Sequence, residues 1–133
     1  DAGSPTGAYA PAGGGNLRVV IAVRVSLERD GSLASLTLSG HAGAGVDAKV
    51  TCAAVTAIVR SCADAIVDRP GIRVSGHADG PGDFHMDLTV TAADRAWLHG
   101  VTDVLLGGVQ RIARDSPDDV TMRVITQGED HGT

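Results

Sequence analysis

Apolar and polar residues alternate along several short stretches of this chain and recur every three or four residues along two longer ones. Residues 17–27, LRVVIAVRVSL, place Val19, Ile21, Val23, Val25 and Leu27 on one face and Arg18, Arg24 and Ser26 on the other. Period-two alternation rich in β-branched residues predicts a strand. Asp30-Gly31 supplies a turn, and alternation resumes over 33–39 with Leu36 and Leu38 apolar, so the two segments predict an antiparallel hairpin. A loop over 40–51 follows, carrying Gly40, Gly43 and Gly45. From 50 to 67 the spacing becomes helical, with Val50, Ala54, Ala57, Ile58, Ser61 and Ala65 on one small-residue face, and Arg69-Pro70-Gly71 ends the helix.

The second half repeats the theme. Residues 72–75 and 84–90, joined by HADGPGD, predict another hairpin, in which Phe84, Met86, Leu88 and Val90 alternate with His85, Asp87 and Thr89. Thr91 as N-cap and Asp94 at the capping-box position open a helix over 92–114, with Trp97, Val101, Val104, Leu105, Gly108 and Ile112 as its buried stripe. Gly107-Gly108 inside it costs about 1 kcal/mol per glycine relative to alanine, which close packing on a neighbouring helix or subunit would offset. Asp115-Ser116-Pro117 stops the helix, and Val120, Met122 and Val124 mark a last strand over 120–126.

The fold class expected is therefore α+β. It is a two-layer sandwich in the order β-β-α-β-β-α-β, an antiparallel or mixed sheet with two helices packed on one face. The other sheet face reads as partly apolar, which suits a dimer interface. Residues 1–16, rich in Gly, Ala and Pro, are expected to be a flexible leader or cloning remnant, 17–126 a single domain, and 127–133 a polar tail.

Composition narrows the function. A chain of 133 residues suits one domain with a modest core. Hydrophobic residues make up 43% but aromatics only 2%, so Ala, Val, Leu and Ile fill that core. The net charge of −5 speaks against a duplex nucleic-acid binder, which needs a basic face, and is compatible with docking on a basic peptide. No uninterrupted apolar run approaches ~20 residues, so no membrane-spanning helix is expected. Cys52 and Cys62 fall ten residues apart in one predicted helix, roughly 15 Å at about 1.5 Å per residue. That exceeds the ~7 Å a disulfide tolerates, so a reducing, cytoplasmic setting is expected.

The chemistry concentrates in residues 39–59, SGHAGAGVDAKVTCAAVTAIV. His41 opens the glycine loop, and Cys52 stands where the helical pattern begins. A thiol in the first turn of a helix is favoured as thiolate by the macrodipole and by unpaired N–H groups. A histidine within reach can hold it as an ion pair and return a proton to a leaving group. Cys52 alone is equally compatible with a small buried core residue, and His41 with a surface loop histidine. Cys62, mid-helix, reads as core filler. His85 points away from the core, and His77, His99 and His131 read as loop, helix-surface and tail residues. A zinc site from Cys52, His41 and His77 or His85 lacks CxxC or HxxxH spacing, and no metal or cofactor is expected. GxGxxG, GxxxxGK[ST] and GxSxG are absent, which leaves neither a nucleotide loop nor a serine-hydrolase elbow.

This stretch resembles the ribosomal-processing cysteine protease family, Prp. The features that match are Gly40-His41-Ala42 at the end of the second strand, the loop over 43–50, and Cys52-Ala53-Ala54 at the helix start. Thr56 four positions on, the order of elements and Phe84-His85-Met86 in the fourth strand extend the match. The resemblance implies a cysteine endopeptidase with a His41–Cys52 dyad, and Gly40, Ala42, Gly43, Gly45, Lys49 and Thr56 binding substrate. It implies removal of the N-terminal extension of large-subunit ribosomal protein L-twenty-seven after an aromatic residue, in a homodimer that meets no nucleic acid or membrane directly. Lys49 stands where the family usually has Asp, and the His-to-Cys loop is one residue shorter; Asp47 is the candidate replacement. The alternative is a non-catalytic peptide- or ribosome-associated binding module.

Overall fold

In a computed structural model, which describes residues 21–40, 45–80 and 83–127, the elements follow the order that the hydrophobic pattern predicts. They are β1 (Ile21–Leu27), β2 (Leu33–Ser39), α1 (Val46–Val67), β3 (Ile72–Gly80), β4 (Asp83–Val90), a 3-10 turn (Ala92–Asp94), α2 (Arg95–Asp115) and β5 (Val120–Thr126). The sheet order is β3-β4-β2-β1-β5. Both hairpins and the β2–β4 pair are antiparallel, whereas β5 runs parallel to β1. The sheet is thus mixed, because α2 carries the chain from one side of the sheet to the far edge. The leader over 1–16, residues 17–20 of the first predicted strand and the tail from 128 lie outside the described residues.

One apolar layer holds the structure together. Val23, Val25, Leu36, Leu38 and Met86 from the sheet meet Val55, Val59 and Ile66 of α1 and Leu98, Leu105 and Val109 of α2, all buried. Aliphatic side chains fill this core, as the scarcity of aromatics requires.

The helices turn different faces inward from those the spacing suggested. α1 buries Ala48, Thr51, Val55, Val59, Ala63 and Ile66, while Val50 is 62% exposed. Its sequence is apolar almost all round, so periodicity permits two faces, and the one with the larger side chains packs on the sheet. For the same reason α1 is long and apolar enough by composition to cross a bilayer, contrary to the expectation from uninterrupted runs, although Val55, Val59 and Ile66 are fully buried on the sheet. In α2 the buried residues are Leu98, Thr102, Leu105 and Val109; of the expected stripe Leu105 is buried, Trp97, Val101 and Ile112 are partly buried against the core, and Val104 is 68% exposed. Thr102 is accommodated because its hydroxyl donates to the Leu98 carbonyl at 2.7 Å and accepts the Leu33 N–H at 3.2 Å. No buried polar group is stranded there.

Other details depart from expectation for local reasons. Thr91 makes no side-chain cap. Asp94 instead takes Arg69 at 2.8 Å, and the same guanidinium lies 4.3 Å from the centre of the Trp97 ring, tying the end of α1 to the start of α2. A Cβ at Gly108 would sit 3.1 Å from Ile58 Cδ1, so this glycine does serve helix contact, whereas Gly107 faces open space. β3 and β4 extend farther into their hairpin than predicted, with a register shift between His77 and Gly80, which places His77 on a strand rather than in a loop. Gly76 permits this pairing, since a Cβ there would run into the His85 carbonyl.

The helix-free face of the sheet is polar, not partly apolar. Arg24, Ser35, Thr37, Arg73, Ser75, His85, Asp87 and Arg123 alternate with the core residues, and Ala22 and Ile125 interrupt them. Exposed apolar area lies instead on the helical side, at Val50, Val67 and Val104.

Candidate active site

The site is assembled from the end of β2, the start of α1 and the β3–β4 hairpin. At Gly40 the chain leaves β2 with φ of 91°, a left-handed turn that a side chain would strain. The Gly40 N–H donates to the Asp83 carboxylate at 3.4 Å, fastening the strand end to β4. His41, Ala42 and Gly43 follow immediately and lie outside the described residues.

α1 begins four residues earlier than the expected Val50. Gly45 is its N-cap, in extended conformation with φ −70° and ψ 154°, and no side chain caps the helix. The Gly45 carbonyl accepts the Lys49 N–H at 3.1 Å, closing the first turn. Thr51, which falls in the expected loop, bonds backward instead, donating to the Asp47 carbonyl at 3.0 Å and to Ser116 Oγ at 3.4 Å. The start of α1 is thereby tied to the end of α2.

Cys52 is consequently beyond the first turn of α1, and its expected place there is corrected. Its N–H lies within the helical ladder, and the pull of the helix dipole fades after the first turn. The thiol is half-buried and packs at the edge of the core.

Helical spacing decides which neighbours share its flank. Lys49, Cys52, Thr56, Ala63 and Val67 follow one another at intervals of three, four, seven and four residues, along one side of α1. Asp47, the candidate replacement for the family's acidic residue, lies about 140° around the helix from Cys52, whereas Lys49 lies on the Cys52 side. Farther along α1, Ala63 and Val67 of this flank line a cleft of about 380 Å³ between α1 and the β3–β4 hairpin, with Arg60 and Asp64 of α1 and Val74, His77, Phe84, His85 and Met86 of the hairpin. Arg60 lies 5.5 Å from the centre of the Phe84 ring, placing a cation at the rim of the cleft.

Cys62 faces elsewhere. It lines a groove of about 500 Å³ between α1 and α2, with Trp97, Val101 and Val104. Burial there pushes its thiol pKa up, because the thiolate would lose its hydration. Both cysteines are free.

Two features escaped sequence reasoning. Asp83, which fastens Gly40, carried no signal beyond its place at the end of a hairpin connection. Thr37, His85 and Asp87 form a hydrogen-bonded chain, with Thr37 Oγ1 2.8 Å from His85 Nδ1 and His85 Nε2 3.0 Å from Asp87. That chain lies on the helix-free face of the sheet, away from Cys52. Among the described residues no three His, Cys, Asp or Glu side chains gather into a metal-binding group.

Comparison with known proteins sets these elements in a family. The S. aureus ribosomal processing protease Prp, solved with a covalently linked product peptide, matches with a TM-score of 0.67 at 21% identity, over 79% of this chain and 99% of that one. SMU.848 from Streptococcus mutans matches with a TM-score of 0.67 at 25% identity, over 81% of this chain and 96% of that one. The S. aureus Prp solved with a substrate peptide gives 0.66 at 18% identity, over 79% and 99%. No match was found among curated proteins. The profile of the family described as cysteine protease Prp matches residues 20–121, from the first strand through Cys52 into the last. On that span, the chain belongs to the cysteine protease Prp family.

Proposed function

We propose that this protein is a cysteine endopeptidase that trims the N-terminal extension of large-subunit ribosomal protein L-twenty-seven, with Cys52 as nucleophile and His41 as its acid–base partner. The observation that carries the proposal is the match to the cysteine protease Prp family over residues 20–121, a span that holds the half-buried Cys52 thiol on α1. The peptides bound to the S. aureus Prp, described as substrate and as covalently linked product, support a peptide-cleaving role.

In the proposed reaction the Cys52 thiolate attacks the scissile carbonyl and a C–S bond forms. The C–N bond then breaks, and His41 delivers a proton to the departing amine. His41 next takes a proton from water, whose oxygen displaces the thiolate and frees a carboxylate. The Cys52 N–H is spent within α1, so the oxyanion draws its donors from elsewhere in the site. Gly40, Ala42, Gly43 and Gly45 are assigned to substrate binding in the same proposal. Lys49 and Thr56 share the Cys52 flank of α1 and are likewise assigned to substrate binding. The cleft walled by Phe84 accepts an aromatic side chain of the substrate.

A homodimer belongs to the same proposal, now through the exposed apolar strip of α1 and α2 rather than the polar sheet face. The two free thiols suit a cytoplasmic setting. The test is incubation with the ribosomal protein precursor, read by intact mass. Loss of the extension with wild type, and none with Cys52→Ala or His41→Ala, is the expected result. Saturable binding without cleavage, together with a thiol inert to iodoacetamide at neutral pH, would mark a peptide-binding module instead.

A further inference from the structure

The face of the sheet that no helix covers carries one continuous cross-strand row. His77 on β3 pairs with His85 on β4, His85 with Thr37 on β2, Thr37 with Arg24 on β1, and Arg24 with Arg123 on β5. Arg24 and Arg123 carry the row's charge, while Thr37 and both ring nitrogens of His85 are engaged in the chain to Asp87. Arg73 adds a third guanidinium on β3. The acidic side chains described on this face are already engaged: Asp87 lies 3.0 Å from His85 Nε2, and Asp83 accepts the Gly40 N–H at 3.4 Å.

Arg24 and Arg123 are exposed register partners on adjacent strands, which lie about 4.8 Å apart. Like charges placed directly opposite destabilise a strand pair. Among the described residues none of Arg24, Arg73 and Arg123 pairs with a carboxylate. In a chain with a net charge of −5, three unpaired guanidiniums on one flat face are a local reversal of sign. An anion seated between Arg24 and Arg123 turns their repulsion into two-sided attraction, and guanidinium forks match phosphate oxygens.

The rest of the face indicates which anion. A protein partner needs buried aromatic or aliphatic anchors, and Ile125 is the one large apolar side chain described here, at the edge strand. The His77 and His85 rings, with centroids 5.7 Å apart and planes tilted by 40°, offer imidazole faces on which bases stack. A flat sheet with a few well-spaced cations suits an extended strand better than a duplex, whose phosphates curve away from a plane.

We propose that the helix-free face of the sheet binds a single-stranded nucleic-acid segment, gripping its phosphodiester backbone with Arg24 and Arg123 and seating bases on His77 and His85. Net charge averages over this patch, which is why the whole-chain value argues against it. Arg24 and Arg123 lie on the opposite side of the sheet from Cys52, while His77 and His85 also border the cleft beside α1.

The test is fluorescence anisotropy of the full chain with labelled twelve-nucleotide RNA and DNA of uridine or thymidine. Saturable binding is expected at low salt, with a dissociation constant on the order of 10⁻⁴ M or tighter. The slope of log affinity against log salt is expected near −1.4, about −0.7 for each of two phosphates on a single strand. The double variant Arg24→Glu/Arg123→Glu should bind at least ~10-fold more weakly, while Arg111→Glu, on the exposed side of α2, stays at the wild-type value. Arg24→Gln/Arg123→Gln keeps polar side chains on the same strands, and with an unchanged thermal melt it should abolish the salt dependence. RNA bound more tightly than DNA adds 2′-hydroxyl contacts to the phosphate grip, and equal affinity assigns the binding to phosphate alone. No saturable binding of either strand, an equal loss in Arg111→Glu, or a preference for polyglutamate over both oligonucleotides overturns the proposal.

Discussion

Cys52 and Cys62 sit on the same helix, ten residues apart, and are both half-buried and free. Their surroundings separate them. Cys52 lies on the flank that carries Lys49 and Thr56, at the edge of the core. Cys62 is turned toward α2, in a groove with Trp97 and Val101, and burial pushes its thiol pKa up. Degree of burial does not separate the two thiols. The direction in which the helix presents them does.

The sharpest way to break this contrast is to exchange the roles by mutation. Cys52→Ala or His41→Ala should lower cleavage of the precursor by at least ~10³-fold, the scale of losing a nucleophile or its base. Cys62→Ala should stay within about twofold of wild type, measured by the same intact-mass assay. Equal losses at both cysteines would erase the distinction.

Alkylation comes next in size. At pH 7.5 iodoacetamide should label Cys52 at least ~10-fold faster than Cys62, with peptide mapping as the readout. Because burial raises the Cys62 thiol above its ordinary value of 9.0, its labelling should accelerate only in more alkaline solution. The same shift has a sign for stability. A folded-state pKa above the unfolded one means the folded chain keeps its proton longer. The stability this contributes is intact below pH 9 and is lost as pH rises through the shifted value. Chemical denaturation of wild type and Cys62→Ala above pH 9 should therefore converge.

Lys49→Glu tests whether the flank matters. Reversing the charge three residues before Cys52 should lower the rate of precursor cleavage about 10-fold or less if this flank meets the substrate. Asp47→Ala, on the other side of the helix, should leave the rate in place. The smallest effect expected is on folding. Gly40→Ala places a side chain at φ of 91° and should cost about 1–2 kcal/mol by denaturant melt, with a further loss of turnover because it redirects His41.

Much of this fold was legible because strands announce themselves. Val23, Val25, Leu36 and Leu38 alternate cleanly with polar neighbours, and the second strand matched its predicted bounds over Leu33–Ser39. The helices were harder for the opposite reason. α1 is apolar on nearly every side, so spacing alone could not choose between the Val50–Ala54–Ile58 face and the Val55–Val59–Ile66 face. Thr102 was invisible because its polarity is cancelled locally, by a backbone carbonyl one turn back and the Leu33 N–H. At the site, Cys52 was found from its sequence context, but the helix start was placed late. Val46-Asp47-Ala48 lacks a side-chain cap to announce it, and Thr51 looked like a loop residue while bonding inside the helix. The cross-strand row could not be read from any one segment, since its five members come from five strands and meet only through register.

The parallel pairing of β5 with β1 has a consequence for how the chain is made. β1 is the second strand in from that edge, and its outer side is covered only by residues Val120–Thr126, paired Ile21 to Val120 and onward. A ribosome therefore releases the strands, loop and helix that carry the thiol long before the strand that closes the sheet beside them. Until β5 emerges, β1 presents an unpaired edge to the crowded exit of the ribosome. Closure of the scaffold therefore waits for the strand that lies farthest along the chain among those described.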